Sequence, residues 1–375
     1  MNKKFNFNGP SSKLRIFLSP LDWGLGHATR CIPIIKTLLE LNCAVIIGAD
    51  KASNILLKKE FPTLEFIQMR GYEIKYSRKI GQFYLKILLQ LPRIITVISN
   101  ENRQLHQIIE EYKIDAVISD NRFGLHSRLV PCVYITHQIQ IKTGNFLGNK
   151  IATWIHRRFM NNFSIIWIPD YKLNGLAGEL SHPKKLPGKC VYLGALSRFK
   201  LLDSKDKIYD ILISLSGPEP QRTIFEEIIL AQCDQIKGGI LLVRGLPGIS
   251  EKLIHQHEHL TVVNHLSANE LNIALAQSDI VIARSGYTTI MDLAKLNKKA
   301  ILIPTPGQTE QEYLANYLME KKYFYSVPQM KFVLKEVLEK AVHFDFLPMP
   351  LQEEKYTDVI SEFVASLKNG NFALQ

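Results

Sequence analysis

The feature that most constrains this chain is a rhythm. Short apolar runs, bounded by turn residues, alternate with longer stretches of helical period. In the first half the pattern predicts strands at residues 14–18, 43–47, 64–67, 115–119 and 132–135, with helices at 30–41 and 52–61. In the second half it predicts strands at 211–215, 240–243, 261–263, 280–283 and 300–303. Helices are predicted there at 220–231, 268–277, 288–296 and 311–321. Near-continuous apolar strands joined by helical crossovers need parallel sheets covered on both faces. The expected fold class is therefore α/β, with two doubly wound Rossmann-like domains facing a cleft. The polar stretch 195–207 breaks the rhythm and marks the linker, giving domains at 1–197 and 198–350. Residues 351–375 are expected to supply a C-terminal helix that crosses back to the first domain.

A length of 375 residues suits two domains, and 46% hydrophobic with 22% charged residues excludes wholesale disorder. Cys31, Cys43, Cys132, Cys190 and Cys233 form no CxxC pair. That excludes a zinc ribbon or disulfide scaffold and points to a reducing cytosol. The most apolar stretch, 83–98, is broken by Lys86, Gln90, Pro92 and Arg93, so no spanning helix is expected. The start, MNKKFNFNGPSSK, has no apolar run before a cleavage site, so no secretory leader is expected either.

The net charge of +11 is unevenly spread: residues 1–200 hold 29 Lys and Arg against 13 Asp and Glu, and the remainder 17 against 22. A basic half calls for an anionic partner, whether nucleic acid, an acidic membrane surface or a phosphate-bearing substrate. No recognised nucleic-acid module or aromatic ladder accompanies the charge, so nucleic acid is not the expected partner. Arg70–Arg103 mixes Arg and Lys with Tyr72, Tyr76, Phe83, Tyr84 and many Leu and Ile, and Trp154, Arg157, Arg158 and Phe159 add to it. Such a surface suits an anionic membrane, and the same pattern suits a core-facing helix with a cationic rim.

Ligands of open parallel sheets lie beyond the carboxyl ends of the strands, so the residues after each strand carry the chemistry. The first such loop runs from Ser19 to Thr29. Gly24 and Gly26 let the backbone approach a ligand, and His27 opens a helix. The helix dipole there favours a neutral imidazole, fit to act as a general base. The second loop, Ala283 to Thr289, places Arg284, Ser285, Gly286, Tyr287 and Thr288 at a helix start suited to an anion. Asp292 follows two turns along, where a carboxylate can accept from a ribose diol; the plainer alternative is an N-cap Ser with a solvated Asp. The third loop, Pro304 to Glu312, offers Gln311 and Glu312 to sugar hydroxyls. The fourth, around Gly217, is a Pro-rich turn placed to face a diphosphate. His255, His257 and His259 alternate, and are read as a surface turn rather than a metal site.

Together these loops resemble glycosyltransferases of the GT-B fold, and family 28 most closely. The segments ARSGYTTIMDLA, PTPGQTEQEYLAN and DWGLGHATR carry the resemblance. It implies an acceptor-binding first domain and a nucleotide-sugar-binding second domain. Ser285, Gly286 and Tyr287 would hold the donor diphosphate, Asp292 the ribose, and Gln311 and Glu312 the sugar. Arg198 would lie near the phosphates, while His265 and Leu266 would grip the base by their backbone, which implies a UDP-sugar. His27 matches the His of the family's glycine loop, the catalytic base. The family's adjacent glycines become Gly24-Leu25-Gly26 here, and an acidic acceptor-site residue becomes His137. Both departures point away from the family's peptidoglycan intermediate as acceptor. Asp120 and His137 are acceptor-side candidates at strand ends.

The expected reaction is inverting transfer of a sugar to an acceptor hydroxyl. No Asp-x-Asp motif calls for a metal, and no cofactor is implied. The acceptor is lipid-linked or a glycan, and the expected location is cytoplasmic, peripheral to the inner face of the membrane. Two rivals remain: a nucleotide-sugar epimerase or hydrolase of the same fold, and a non-catalytic nucleotide-sugar-binding protein.

Overall fold

The computed structural model describes residues 13–22, 24–71, 83–202, 206–249, 253–257, 259–349 and 355–370. Its two compact units divide at Leu196/Ser197.

The first unit begins β1 (Arg15–Pro20), α1 (Leu25–Glu40), β2 (Ala44–Ala49), α2 (Lys51–Glu60), β3 (Glu65–Gln68) and α3 (Phe83–Tyr112). It continues with β4 (Ala116–Asp120), β5 (Cys132–Ile135), α4 (Phe146–Met160), β6 (Ile165–Ile168) and β7 (Cys190–Tyr192). All seven strands are parallel, in the order β3-β2-β1-β4-β5-β6-β7. The central strands β4 and β5 are buried along their whole length, which explains their unbroken apolar composition. Phe17, Val117, Tyr134, Ile166 and Ile168 share one core with Leu105 and Ile108 of α3.

The second unit holds β8 (Tyr209–Ser214), α5 (Gln221–Leu230), β9 (Ile240–Val243), β10 (Leu253–His257), β11 (Leu260–Val263), α6 (Ala268–Ala276) and β12 (Ser278–Ala283). Then come α7 (Tyr287–Lys295), β13 (Ala300–Leu302), α8 (Thr309–Glu320), β14 (Tyr325–Ser326) and α9 (Leu334–Val342). The strand order is β10-β11-β9-β8-β12-β13-β14, parallel except for the β10–β11 pair. The last helix, α10 (Tyr356–Lys368), belongs to the first unit and packs on α1. Lys355 N–H donates to the Leu193 carbonyl at its start (3.2 Å).

Three expectations change. Leu253–His257 is not a surface turn but an edge strand, with His255 opposite Val262 and His257 opposite Leu260. An edge strand accepts polar residues because only one side pairs, so period-two alternation outweighs the His content. Helix α1 begins at Leu25, five residues before the predicted start. Gly24 breaks the chain with φ +85°, and His27 falls inside the first turn. Strands β6, β7 and β14, of four, three and two residues, had no counterpart in the prediction. Of the Arg70–Arg103 stretch, 72–82 lie outside the described residues. No described helix is long and apolar enough to cross a membrane.

Candidate functional site

Both sheets reverse their winding beside the first strand of the unit. The reversal falls between β1 and β4 in one sheet and between β8 and β12 in the other. A crevice opens at such a point beyond the strand ends.

In the first unit, β1 leads to Gly24 and α1, and β4 ends at Asp120. Asp120 is fully buried. His27 Nδ1 lies 3.1 Å from its Oδ2, and the His27 side chain is 16% exposed. Arg30, one turn along α1 and also buried, donates from Nε to Oδ2 (2.8 Å) and from Nη2 to Oδ1. Its Nη2 also lies 2.9 Å from His27 Nδ1. The Cys31 thiol donates to Asp120 from 3.7 Å. Burial pushes the Asp120 carboxyl up, but Arg30 and then His27 outweigh it and hold it at about 2. His27 is shifted the other way. Burial lowers it most, Arg30 adds to that, and Asp120 opposes. The imidazole is thus neutral, and burial with Arg30 accounts for it where the sequence suggested the helix dipole. Nδ1 thus faces both an acceptor, Asp120 Oδ2, and a donor, Arg30 Nη2; in the tautomer with the proton on Nδ1, the lone pair on Nε2 can receive a proton.

His137, just after β5, is buried and within electrostatic reach of His27. Behind it lies a histidine no sequence argument singled out. His156 of α4 meets the Tyr134 hydroxyl (3.2 Å) and the edge of Phe123. Burial drives its pKa down to about 4. Asn121 follows Asp120 with φ +58°, and its Oδ1 accepts from Tyr134 (3.0 Å).

In the second unit the loops after β8, β12 and β13 converge. Helix α7 begins at Gly286 with no side-chain cap, and a Cβ built on Gly286 would meet nothing within 4 Å. Ser285 is not its N-cap, since its hydroxyl donates to the Gln311 carbonyl (2.9 Å). A helix start with no side-chain cap and with room beside its N-cap glycine is the arrangement that attracts an anion. Arg284 is buried beneath, stacked on Phe225 (4.3 Å), and donates to the Gln221 carbonyl (2.9 Å). Burial alone lowers its pKa to about 9. Gly217, with φ +98°, closes the β8 loop in a conformation that favours glycine.

Asp292 is buried on α7 and accepts from Ser197 Oγ (2.6 Å). Burial raises its pKa to about 6 against the pull of Arg198 and these hydrogen bonds. The solvated-Asp alternative therefore fails, and Arg198 comes beside Asp292. Gln311 and Glu312 turn back onto their own loop: Gln311 Oε1 accepts from Thr305 N–H (2.9 Å), and Glu312 Oε1 from Gly307 N–H (3.0 Å). His265 and Leu266 follow β11, just before the Ser267–Glu270 capping box of α6. Arg30 and Ser197 were missed by the sequence argument. A helical Arg three residues after His27 was the available signal for the first; Ser197 left none, because its partner is 95 residues away.

This fold is shared with known glycosyltransferases. The structure of SnogD from Streptomyces nogalater superposes with a TM-score of 0.60 at 13% identity, over 94% of this chain and 100% of that one. Acinetobacter baumannii MurG superposes at 0.54 with 14% identity, over 96% and 100%. The Glycosyltransferase family 28 C-terminal domain matches residues 248–369. An uncharacterized glycosyltransferase of Methanosarcina acetivorans is 25% identical over 84% of this chain and 88% of its own length. The UDP-N-acetylglucosamine--N-acetylmuramyl-(pentapeptide) pyrophosphoryl-undecaprenol N-acetylglucosamine transferase of Pasteurella multocida is 30% identical, over 79% of each chain. The protein is a two-domain α/β glycosyltransferase of the GT-B fold. It belongs to glycosyltransferase family 28, and of the three readings of the sequence, glycosyl transfer is the one that holds.

Proposed function

We propose that the enzyme moves a sugar from a nucleoside-diphosphate donor, a UDP-sugar, to an acceptor hydroxyl with inversion and without a metal. The observation that carries this is the neutral, Asp120-bound His27 of the first unit; the second unit, taken by itself, supports it with an α7 that has no side-chain cap. His27 Nε2 takes the proton of the acceptor hydroxyl as its oxygen forms a bond to the anomeric carbon. The bond from that carbon to the diphosphate breaks, and the nucleoside diphosphate leaves with the electron pair. A single displacement of this kind inverts the centre.

The charge growing on the diphosphate is met by the N–H groups of Gly286 and Tyr287 and by the buried positive charge of Arg284. That supply of positive potential, together with the lack of an Asp-x-Asp motif, supports metal-independent chemistry. Asp292 is assigned to the ribose diol, Arg198 to the phosphates, Gly217 to the diphosphate, His265 and Leu266 to the base, and Gln311 with Glu312 to the sugar. Thr288 extends the α7 start, and Gly24 and Gly26 are assigned to the donor as well. His137 and Asp120 border the acceptor.

A lipid-linked acceptor fits the outward face of α4. Phe146, Leu147, Ile151, Trp154 and Ile155 are all exposed there, Trp154 at 69%, beside Lys150 and Arg158. The helix contains no acidic residue. We assign this face to an anionic membrane surface, which would make the enzyme peripheral.

The test is a thermal-shift series with UDP, TDP, GDP and ADP on the wild type and on Asp292→Ala. UDP is expected to stabilise the wild type most and the variant least. No shift with any diphosphate overturns the donor assignment.

A further inference from the structure

We propose that Arg30 is a positioning residue for the transfer: it clamps Asp120 beside His27 Nδ1 and, with its own N–H also directed at that nitrogen, keeps the imidazole neutral. The inference rests on His27 being the base and adds a residue that acts through it. Arg30 touches both members of the pair. Its Nε holds Asp120 Oδ2 at 2.8 Å, its Nη2 bonds Oδ1, and the same Nη2 stands 2.9 Å from His27 Nδ1. A guanidinium in this fork geometry fixes the carboxylate plane, which a lysine ammonium does not.

The charge arithmetic gives the clamp a second effect. A buried Asp120 alone beside His27 would draw a proton onto the ring and leave an imidazolium–carboxylate pair. Such a ring is already protonated and cannot act as a base. With Arg30 present, the neutral ring, the carboxylate and the guanidinium sum to zero, so the ring stays free. Among the described residues, Cys31 on α1 and His137 after β5 also face this cluster. The thiol is held neutral by burial first and by Asp120 second. Neither replaces the positive charge of Arg30 against Asp120.

The test is nitrogen-15 NMR of the histidines in the free enzyme, together with pH profiles of kcat/KM, for wild type, Arg30→Met and Arg30→Lys. In wild type, His27 is expected to be neutral at pH 7. In Arg30→Met its titration, and the acid limb of kcat/KM, should move up by about one pH unit or more. Arg30→Lys should restore the position of the acid limb. Wild-type titration in a folded Arg30→Met overturns the proposal. If Arg30→Met does not fold, Arg30→Gln removes the charge while keeping hydrogen-bonding groups, and wild-type titration in it is equally fatal. His27→Gln separates the two claims: full turnover in that variant overturns His27 as the base while leaving the NMR result to stand on its own.

Discussion

At the scale of single residues, both sites rest on buried groups whose ionisation their surroundings have moved. His27→Gln removes the proposed proton acceptor and is expected to lower kcat by about 10²–10⁴-fold, with donor KM little changed. Steady-state kinetics with saturating donor read it directly. Asp292 makes a different prediction. Its pKa of about 6 means that the carboxylate is ionised at pH 7.5 and largely protonated at pH 5. A neutral carboxyl accepts less well from the ribose hydroxyls, so affinity for the nucleoside diphosphate should fall as pH drops through about 6. Calorimetric titration at pH 7.5 and 5.0 checks it, with Asp292→Asn expected to be weak and flat across that range.

At the scale of elements, two helices have separate tasks. The start of α1 depends on Gly24, whose φ of +85° and ψ of 172° lie in a region essentially reserved for glycine. Gly24→Ala has open space for its methyl but not for its backbone. It should cost about 1–3 kcal/mol in urea unfolding and lower kcat through displacement of His27. Helix α4 buries only His156 and Met160, and turns an unbroken apolar and basic face outward. Trp154→Glu should abolish sedimentation with anionic vesicles while leaving the melting temperature within about two degrees, because the residue is 69% exposed. Binding that survives this change, or that is equal on neutral vesicles, would remove α4 from the docking surface. The alternation of apolar runs announced ten of the fourteen described strands, missing β6, β7, β10 and β14, whereas the outward face of α4 was only half legible. An apolar stripe reads the same whether it meets a core or a membrane, and only burial tells the two apart.

At the scale of the whole molecule, a buried histidine in one unit and a buried carboxyl in the other should respond to acid in opposite directions. His156 in the first unit has its pKa depressed to about 4, so the unfolded chain binds the proton first and stability falls as pH drops below about 6.5. Between pH 7 and 5 that amounts to about 2 kcal/mol. Asp292 in the second unit is raised to about 6, so the folded state binds the proton first. Stability there rises over the same range by about 1 kcal/mol. Asp120, held at about 2, contributes stability above the ordinary carboxylate range that is lost only in stronger acid. Hydrogen exchange at pH 7 and pH 5, with intrinsic rates corrected, should show β4 and β5 losing protection and β12 and β13 keeping or gaining it. Equal loss in both units would contradict the assignment.

By itself the sequence determined the architecture and the loops that matter. Side-chain periodicity is a local property, and a parallel sheet places its ligand loops at the strand ends whatever the details. It also marked His27, Asp120, Ser285 and Asp292, because each stands directly after a strand or in the helix that follows one. Tertiary structure alone decided which of these meet. Asp120 lies 93 residues from His27 and Ser197 lies 95 from Asp292, distances at which no spacing rule operates. The neutral imidazole, the raised Asp292 and the uncapped α7 all follow from burial and from partners brought in by the fold. Those are the quantities that set an ionisation, and a linear chain does not contain them.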